Sequence, residues 1–301
     1  MLQEKTNAIE VVGHLSEVDL KEGTTKKGKD YIAGTIKVKT EEEINGIVTP
    51  IEIPFSVYAN KVTNAGASNP AYESLSNVRD KMTSAAACGD IENATRVRIA
   101  SGTGSIRENM FVSPQTKQIV SSPRINASFI NLANSNQNDM ARFEAIIFIL
   151  NIKDEIDKNG DATGRLVIQG AYPDYSGQIH VIPYIVGNEQ AVQHIQTFWK
   201  AGDTVKIYGK IAYTFKTETI VEEVGFGEPI ERKRTKSSHE FLITSGSPNG
   251  FDEDEAFSAA DIKAALAERK TRQEEMIADF NKPKTSHTTK DTTPTSDQYG
   301  F

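Results

Sequence analysis

Residues Gln193 to Ile211 read QHIQTFWKAGDTVKIYGKI, and within this stretch the period of the apolar residues changes. Counting Val192 just before it, the apolar positions ahead of Ala201-Gly202 fall at helical spacing: Val192, Ile195, Phe198 and Trp199. Beyond the glycine they alternate, at Val205, Ile207 and, past Gly209, Ile211. The pattern predicts the end of a short amphipathic helix, a turn at Ala201-Gly202 and a strand from Asp203. Trp199, Phe198, Phe55, Phe143 and Phe148 fall on inward or helical-core positions and are expected in the core.

Upstream of this stretch lie three strand-like runs, Phe143–Ile156, Arg165–Tyr172 and Ile179–Val186, the last two joined by the turn Pro173-Asp174-Tyr175-Ser176-Gly177. The same order occurs earlier. Ile9–Leu20 is strand-like with Gly13 as a bulge or bend, a polar loop KEGTTKKGKD follows, and Tyr31–Lys39 alternates. After the turn EEEING come Ile51–Ala59, a helix from Asn69-Pro70 to Ala87, a strand Thr95–Ala100, and one or two strands near Asn109–Val112 and Asn126–Leu132. IEIPFSVYAN from Ile51 lies over IHVIPYIVGN from Ile179 in inner-face parity, which turns Tyr58 and Tyr184 outward, and RVRIAS from Arg96 lies over TVKIYG from Thr204.

Strand, strand, strand, helix, strand, strand, given twice, predicts a mainly β chain of two tandem OB-like five-stranded barrels, residues 5–133 and 141–246. Each has its helix between strands three and four, and the short polar bridge Asn134–Asp139 sets the two against each other. Residues 247–301 are expected to form an acidic tail. A helix spans 258–280 in it, opened by Ser258 with Asp261 three residues on, and a Thr, Ser, Lys and Pro-rich end is disordered. The thin apolar stripe Ile262, Leu266, Gln273, Ile277, Phe280 suits docking on the barrels, docking on a partner, or a solvated helix.

The 301 residues carry a formal charge of −7. Residues 251–301 hold 11 acids and 7 bases, which leaves 30 acids and 27 bases for the rest. A near-neutral body argues against coating duplex DNA by charge alone. The one cysteine, Cys88, excludes an internal disulfide or a Cys-based zinc site, and its AAAC setting predicts a buried, inert thiol. No apolar run has membrane-spanning length and the N-terminus lacks a signal-peptide core, so a cytoplasmic protein is expected. Ser101–Ser105, SGTGS, lacks the Lys and Ser/Thr of a P-loop and reads as a turn. The five histidines show no ligand spacing, and neither an enzyme nor a cofactor is indicated.

Barrels of this kind bind oligonucleotides or sugars on strands two and three and through the loops joining strands one to two and four to five. Those places carry cations and aromatics. In the first unit they are Lys26, Lys27 and Lys29 in the loop, Tyr31, Lys37, Lys39 and Tyr58 on the face, and Arg96 and Arg98 on strand four. In the second they are Tyr184, Lys206, Tyr208 and Lys210, with Arg232, Lys233, Arg234 and Lys236 between strands four and five. Cations that track phosphates, interleaved with rings that stack bases, are what single-strand binding requires.

With these residues in view the chain resembles the single-stranded DNA-binding proteins of bacteria and of their phages, OB barrels followed by an acidic C-terminal tail. That resemblance implies binding of single-stranded DNA in replication or recombination with little sequence preference, and recruitment of partner proteins through tail residues. Here those would be Asp252, Glu253, Asp254, Glu255 and Phe301, although the acidic run comes early and Pro-Phe is absent. The competing expectation is a structural or adaptor protein, such as a phage assembly component, whose barrels make protein contacts.

Overall fold

A computed structural model describes residues 2–44, 46–157, 159–222 and 230–282, with side chains throughout except at 214–238. The protein is mainly β. Its first half runs β1 (Asn7–Thr24), β2 (Asp30–Ile44), β3 (Ile47–Asn60), α1 (Pro70–Lys81), α2 (Ala85–Cys88), β4 (Arg96–Ile99), β5 (Gly104–Val112), β6 (Ile119–Ala127) and β7 (Asn131–Leu132). The second half runs β8 (Met140–Ile156), β9 (Ala162–Pro173), β10 (Ile179–Val186), α3 (Glu189–Phe198), β11 (Thr204–Glu222) and β12 (Ile230–Gly246), and α4 (Ala259–Asn281) closes the described chain.

The helices begin where asparagine caps them. Asn69 accepts from the Ala71 N–H ahead of Pro70, and Asn188 accepts from the Ala191 N–H. Gly202, at φ 98°, turns the chain from α3 into β11. In the second half β8 pairs with β9, β9 with β10 and β11 with both β12 and β8, all antiparallel, while β10 meets β12 in parallel at Ile185 and Leu242. Every one of these strands therefore has a neighbour on each side. The first half repeats the pattern through β1–β2, β2–β3, parallel β3–β6, β5–β6 and β1–β4, with the turn at Ala100–Thr103 separating β4 from β5. The halves join directly, since β1 pairs with β8 from Asn7 opposite Ala145 to Val12 opposite Met140.

Several expectations need correction. Gly13 is not the bulge: the register shift lies between Leu15 and Glu17. Gly13 is instead required by close approach, because a Cβ there would stand 2.3 Å from the Lys39 carbonyl oxygen. The β2–β3 hairpin turns only at the end of EEEING, because β2 continues through Glu41–Ile44 and pairs Ile44 with Ile47, with Glu42 buried against the second half. Its carboxylate accepts from the Ala141 N–H at 3.0 Å and lies 3.1 Å from Lys210 Nζ.

Tyr184 points inward, fully buried between Phe143 and Phe241, because β10 turns Ile182, Tyr184 and Val186 to the core and leaves Pro183 exposed. One step of register exchanges every side chain between faces, and the alignment with β3 has the wrong parity here. Phe198 is 53% exposed and rests against His194, as Trp199, four residues beyond Ile195, takes the inward place at the end of α3. Phe55, Phe143, Phe148 and Trp199 are buried. Cys88 is exposed, being carried on the single surface turn of α2.

Candidate nucleic-acid interface

On the first half, strict alternation sends Ile32, Ile36 and Val38 of β2 into the core and leaves Tyr31, Lys37 and Lys39 on the outer face. β3 does the same with Ile53, Phe55 and Val57 inside, so Tyr58 emerges beside them. Tyr31 and Tyr58 are stacked, their ring centres 5.3 Å apart and their planes 26° from parallel. The far side of Tyr31 lies over Gly23 on β1, its cross-strand partner: a Cβ on Gly23 would come within 2.7 Å of the ring. Tyr31 is thus held between backbone and ring. Tyr58 is 54% exposed, its hydroxyl donating to Asn60 Oδ1 at 2.8 Å.

Immediately beside the rings β1 turns into β2. The Thr25 N–H donates to the Lys29 carbonyl and the Lys29 N–H to Thr25 Oγ1, with Gly28 at φ 75° completing the turn. Lys26, Lys27 and Lys29 are exposed on it, without an ion pair among the described residues. Further along the face Lys37 is 2.5 Å from Glu17, a hydrogen bond that raises its pKa, and exposed Lys39 stands across from Glu52. Arg124, exposed on β6, donates to Ser56 Oγ one strand over. Neither Gly23 nor Arg124 was legible beforehand. In the sequence pattern Gly23 falls within a polar loop, and β6 begins seven residues earlier than its pattern indicates because Ser121, Ser122 and Pro123 hide it.

The remaining expected contacts are less available. Arg96 binds Asp139 and the Gln137 carbonyl, which fastens the bridge between the halves, and Arg98 binds Glu10 at 2.6 Å. Lys206 lies 4.9 Å from the centre of the Tyr208 ring and 3.7 Å from Glu144, contacts that raise its pKa, with Tyr208 the first of them. Lys210 reaches Glu42 and the Glu43 carbonyl. Tyr208 is 40% exposed and, with Lys210, Arg142 and Glu144, lines a groove of about 650 Å³ between the halves. Arg232, Lys233, Arg234 and Lys236 have their backbone in β12 opposite Ile220, Thr219, Glu218 and Lys216, but their side chains lie outside the described residues.

The acids Asp252 to Glu255 are exposed on a turn that is fixed at both ends. The Phe251 N–H donates to the Thr204 carbonyl and the Phe257 N–H to Thr204 Oγ1. From there Phe257, Ile262 and Ala265 are buried, Arg269 binds Glu108 of β5, and Arg272 binds Gln178. The segment 251–281 is docked on both halves rather than hanging free. Phe301 and the end expected to be disordered lie outside the described residues.

The chain is mainly β, and its fold is similar to that of a solved single-stranded DNA binding protein. The family described as YorF matches residues 5–282, and the chain belongs to that family. Among solved structures, a deletion variant of the single-stranded DNA binding protein from Thermus aquaticus superimposes with a TM-score of 0.51 at 9% identity, over 85% of this chain and 98% of that one. The wild-type protein gives 0.49 at 10% identity, over 86% and 98%. No curated protein matches the sequence.

Proposed function

We propose that this protein binds single-stranded DNA with little sequence preference, in replication or recombination. The observation that carries the reading is the Tyr31–Tyr58 stack, with Tyr58 exposed, beside three turn lysines that have no ion pair among the described residues. A ring pair offers a platform on which any base can stack, and neighbouring ammonium groups take the phosphates on either side. The reading treats residues 5–133 and 141–246 as tandem OB-type barrels, which the repeated strand pairing and the fold shared with the Thermus aquaticus protein support. It assigns Arg232, Lys233, Arg234 and Lys236 to phosphates, and takes the exposed acids at 252–255 as a contact for partner proteins.

Titration with dT oligonucleotides, followed by tyrosine and tryptophan emission, tests it. Tight binding to single strands, weaker binding to duplex and loss of affinity with rising salt are expected. A stable assembly that ignores nucleic acid at low salt would instead favour a structural or adaptor protein.

A further inference from the structure

We infer that the protein has a single strand-binding face, that of the first half, and that the corresponding face of the second half is closed by the protein's own side chains. The inference rests on the single-strand binding proposed above. By strand order β9 and β10 stand where β2 and β3 stand in the first half. Their outer surface is built differently. In place of a stacked ring pair it carries Arg165, whose guanidinium lies between two carboxylates, at 2.6 and 2.7 Å from Glu155 and at 3.0 and 3.1 Å from Glu240. Beside it Gln169 accepts from Asn151 at 3.0 Å.

An arginine gripped by two carboxylates has used the fork of donors that a phosphate would take. The three groups together carry a net negative charge, so a phosphate arriving there has to displace one carboxylate while facing both. Among the described residues no exposed ring stands on β9 or β10, the exposed Tyr175 lying on the turn between them. Among the described residues the tyrosines of β9 and β10, Tyr172 and Tyr184, are both fully buried. The exposed Lys153 of β8, opposite Val167, has no carboxylate partner among the described residues. On the first half, by contrast, the turn lysines, Lys39 and Arg124 have no carboxylate partner among the described residues.

Two further observations point the same way. The groove between the halves is self-neutralised, with Arg98 on Glu10, Lys206 on Glu144 and Lys210 on Glu42. Strand β11, which belongs to the second half by sequence, runs past β2 and β3. On this side the second half therefore lends backbone of β11 to the border of the first half's face. One track results, and the strand it holds is the length one barrel accommodates, on the order of 4–16 nucleotides.

Lysine acetylation of the full-length protein, read by mass spectrometry with and without a dT oligonucleotide, tests this. Lys26, Lys27, Lys29 and Lys39 are expected to be protected at least threefold, with Lys153 unchanged. A parallel titration should find Arg165→Ala within twofold of the native affinity and Tyr58→Ala at least tenfold weaker. Protection of Lys153 equal to that of Lys39, or a tenfold loss in Arg165→Ala, with binding itself intact, overturns the single face and leaves single-strand binding standing. Absence of any binding overturns both. The footprint needs no variant, so a folding defect in Arg165→Ala does not blur the result.

Discussion

Gly23 and Tyr31 form a unit in which the smaller residue makes the larger one useful. With no side chain on β1 beneath it, the Tyr31 ring lies flat on the sheet and presents its other side to Tyr58. Stacked bases contribute about 1–3 kcal/mol each, so Tyr58→Ala is expected to weaken single-strand binding by roughly 10- to 100-fold. Gly23→Val should produce a similar loss while leaving β1 paired, because the added branches lift Tyr31 from its seat. Fluorescence titration of the two variants checks this, and native affinity in Gly23→Val would mean that the stack is not the platform. Two histidines set a second expectation at this scale. Burial lowers the pKa of His180, whose Nδ1 accepts from the Glu108 N–H while Nε2 faces Asp174, with Arg107 and the Glu108 carboxylate alongside. Burial likewise lowers that of His239, stacked on Tyr213. Both are neutral in the fold, and the unfolded chain binds more protons as pH drops below the ordinary histidine value of about 6.5. Their contribution to stability is therefore complete above that value and is lost as pH falls from there toward the lowered folded values. Urea midpoints should decline between pH 7.5 and 5.5, and decline less in His180→Gln.

The element that most rewards comparison is the β1–β2 connection. Sequence patterning placed cations in a ten-residue loop, whereas the strands run on to Thr24 and resume at Asp30, which leaves a tight turn with Lys26, Lys27 and Lys29 at its tip. Rigid presentation beside the tyrosines makes each lysine a candidate phosphate contact, worth about 0.7 in the slope of log affinity against log salt for a single strand. Replacing all three by glutamine should flatten that slope by about 2, read from titrations across salt. An unchanged slope would leave them in bulk solvent. What was legible follows the same physics. Period-two strands with one buried face, capped helices and the switch of period at Gly202 declare themselves through local pattern, so the order of elements and the outer positions of Tyr31, Tyr58, Lys37 and Lys39 could be read. Tyr184 could not, since β10 is buried nearly throughout and offers no alternation to set its parity. Nor could the pairing of Arg96, Arg98, Lys206 and Lys210 with carboxylates, because three of the partners come from strands distant in sequence and the fourth, Asp139, from the bridge between the halves.

At the scale of the molecule the question is what fixes one half on the other. Pairing of β1 with β8 supplies part of the answer, and the C-terminal segment supplies another. Phe257 and Ile262 are buried there, and α4 then crosses to β5 of the first half, where Arg269 meets Glu108. The Glu108 side chain is 1% exposed and also accepts from Ser121 Oγ and from the Val181 N–H of β10, so a single buried carboxylate ties together both halves and the helix. Removing the cation from such a site leaves a buried charge with only neutral donors, which costs about 3 kcal/mol. Arg269→Ala is expected to lower the unfolding free energy by that amount, measured by urea denaturation. Truncation after Gly250 should cost more, since burial of Phe257 and of Ile262 contributes about 1.5–3 kcal/mol each in addition. That outcome contrasts with what a freely tethered acidic tail implies, namely a truncated protein as stable as the full chain that binds DNA more tightly at low salt. If the truncated chain matched the full one in urea midpoint, the docking of α4 would contribute nothing. A loss of several kcal/mol shared by truncation and Arg269→Ala would make the helix a structural brace, on which the orientation of the strand-binding face depends.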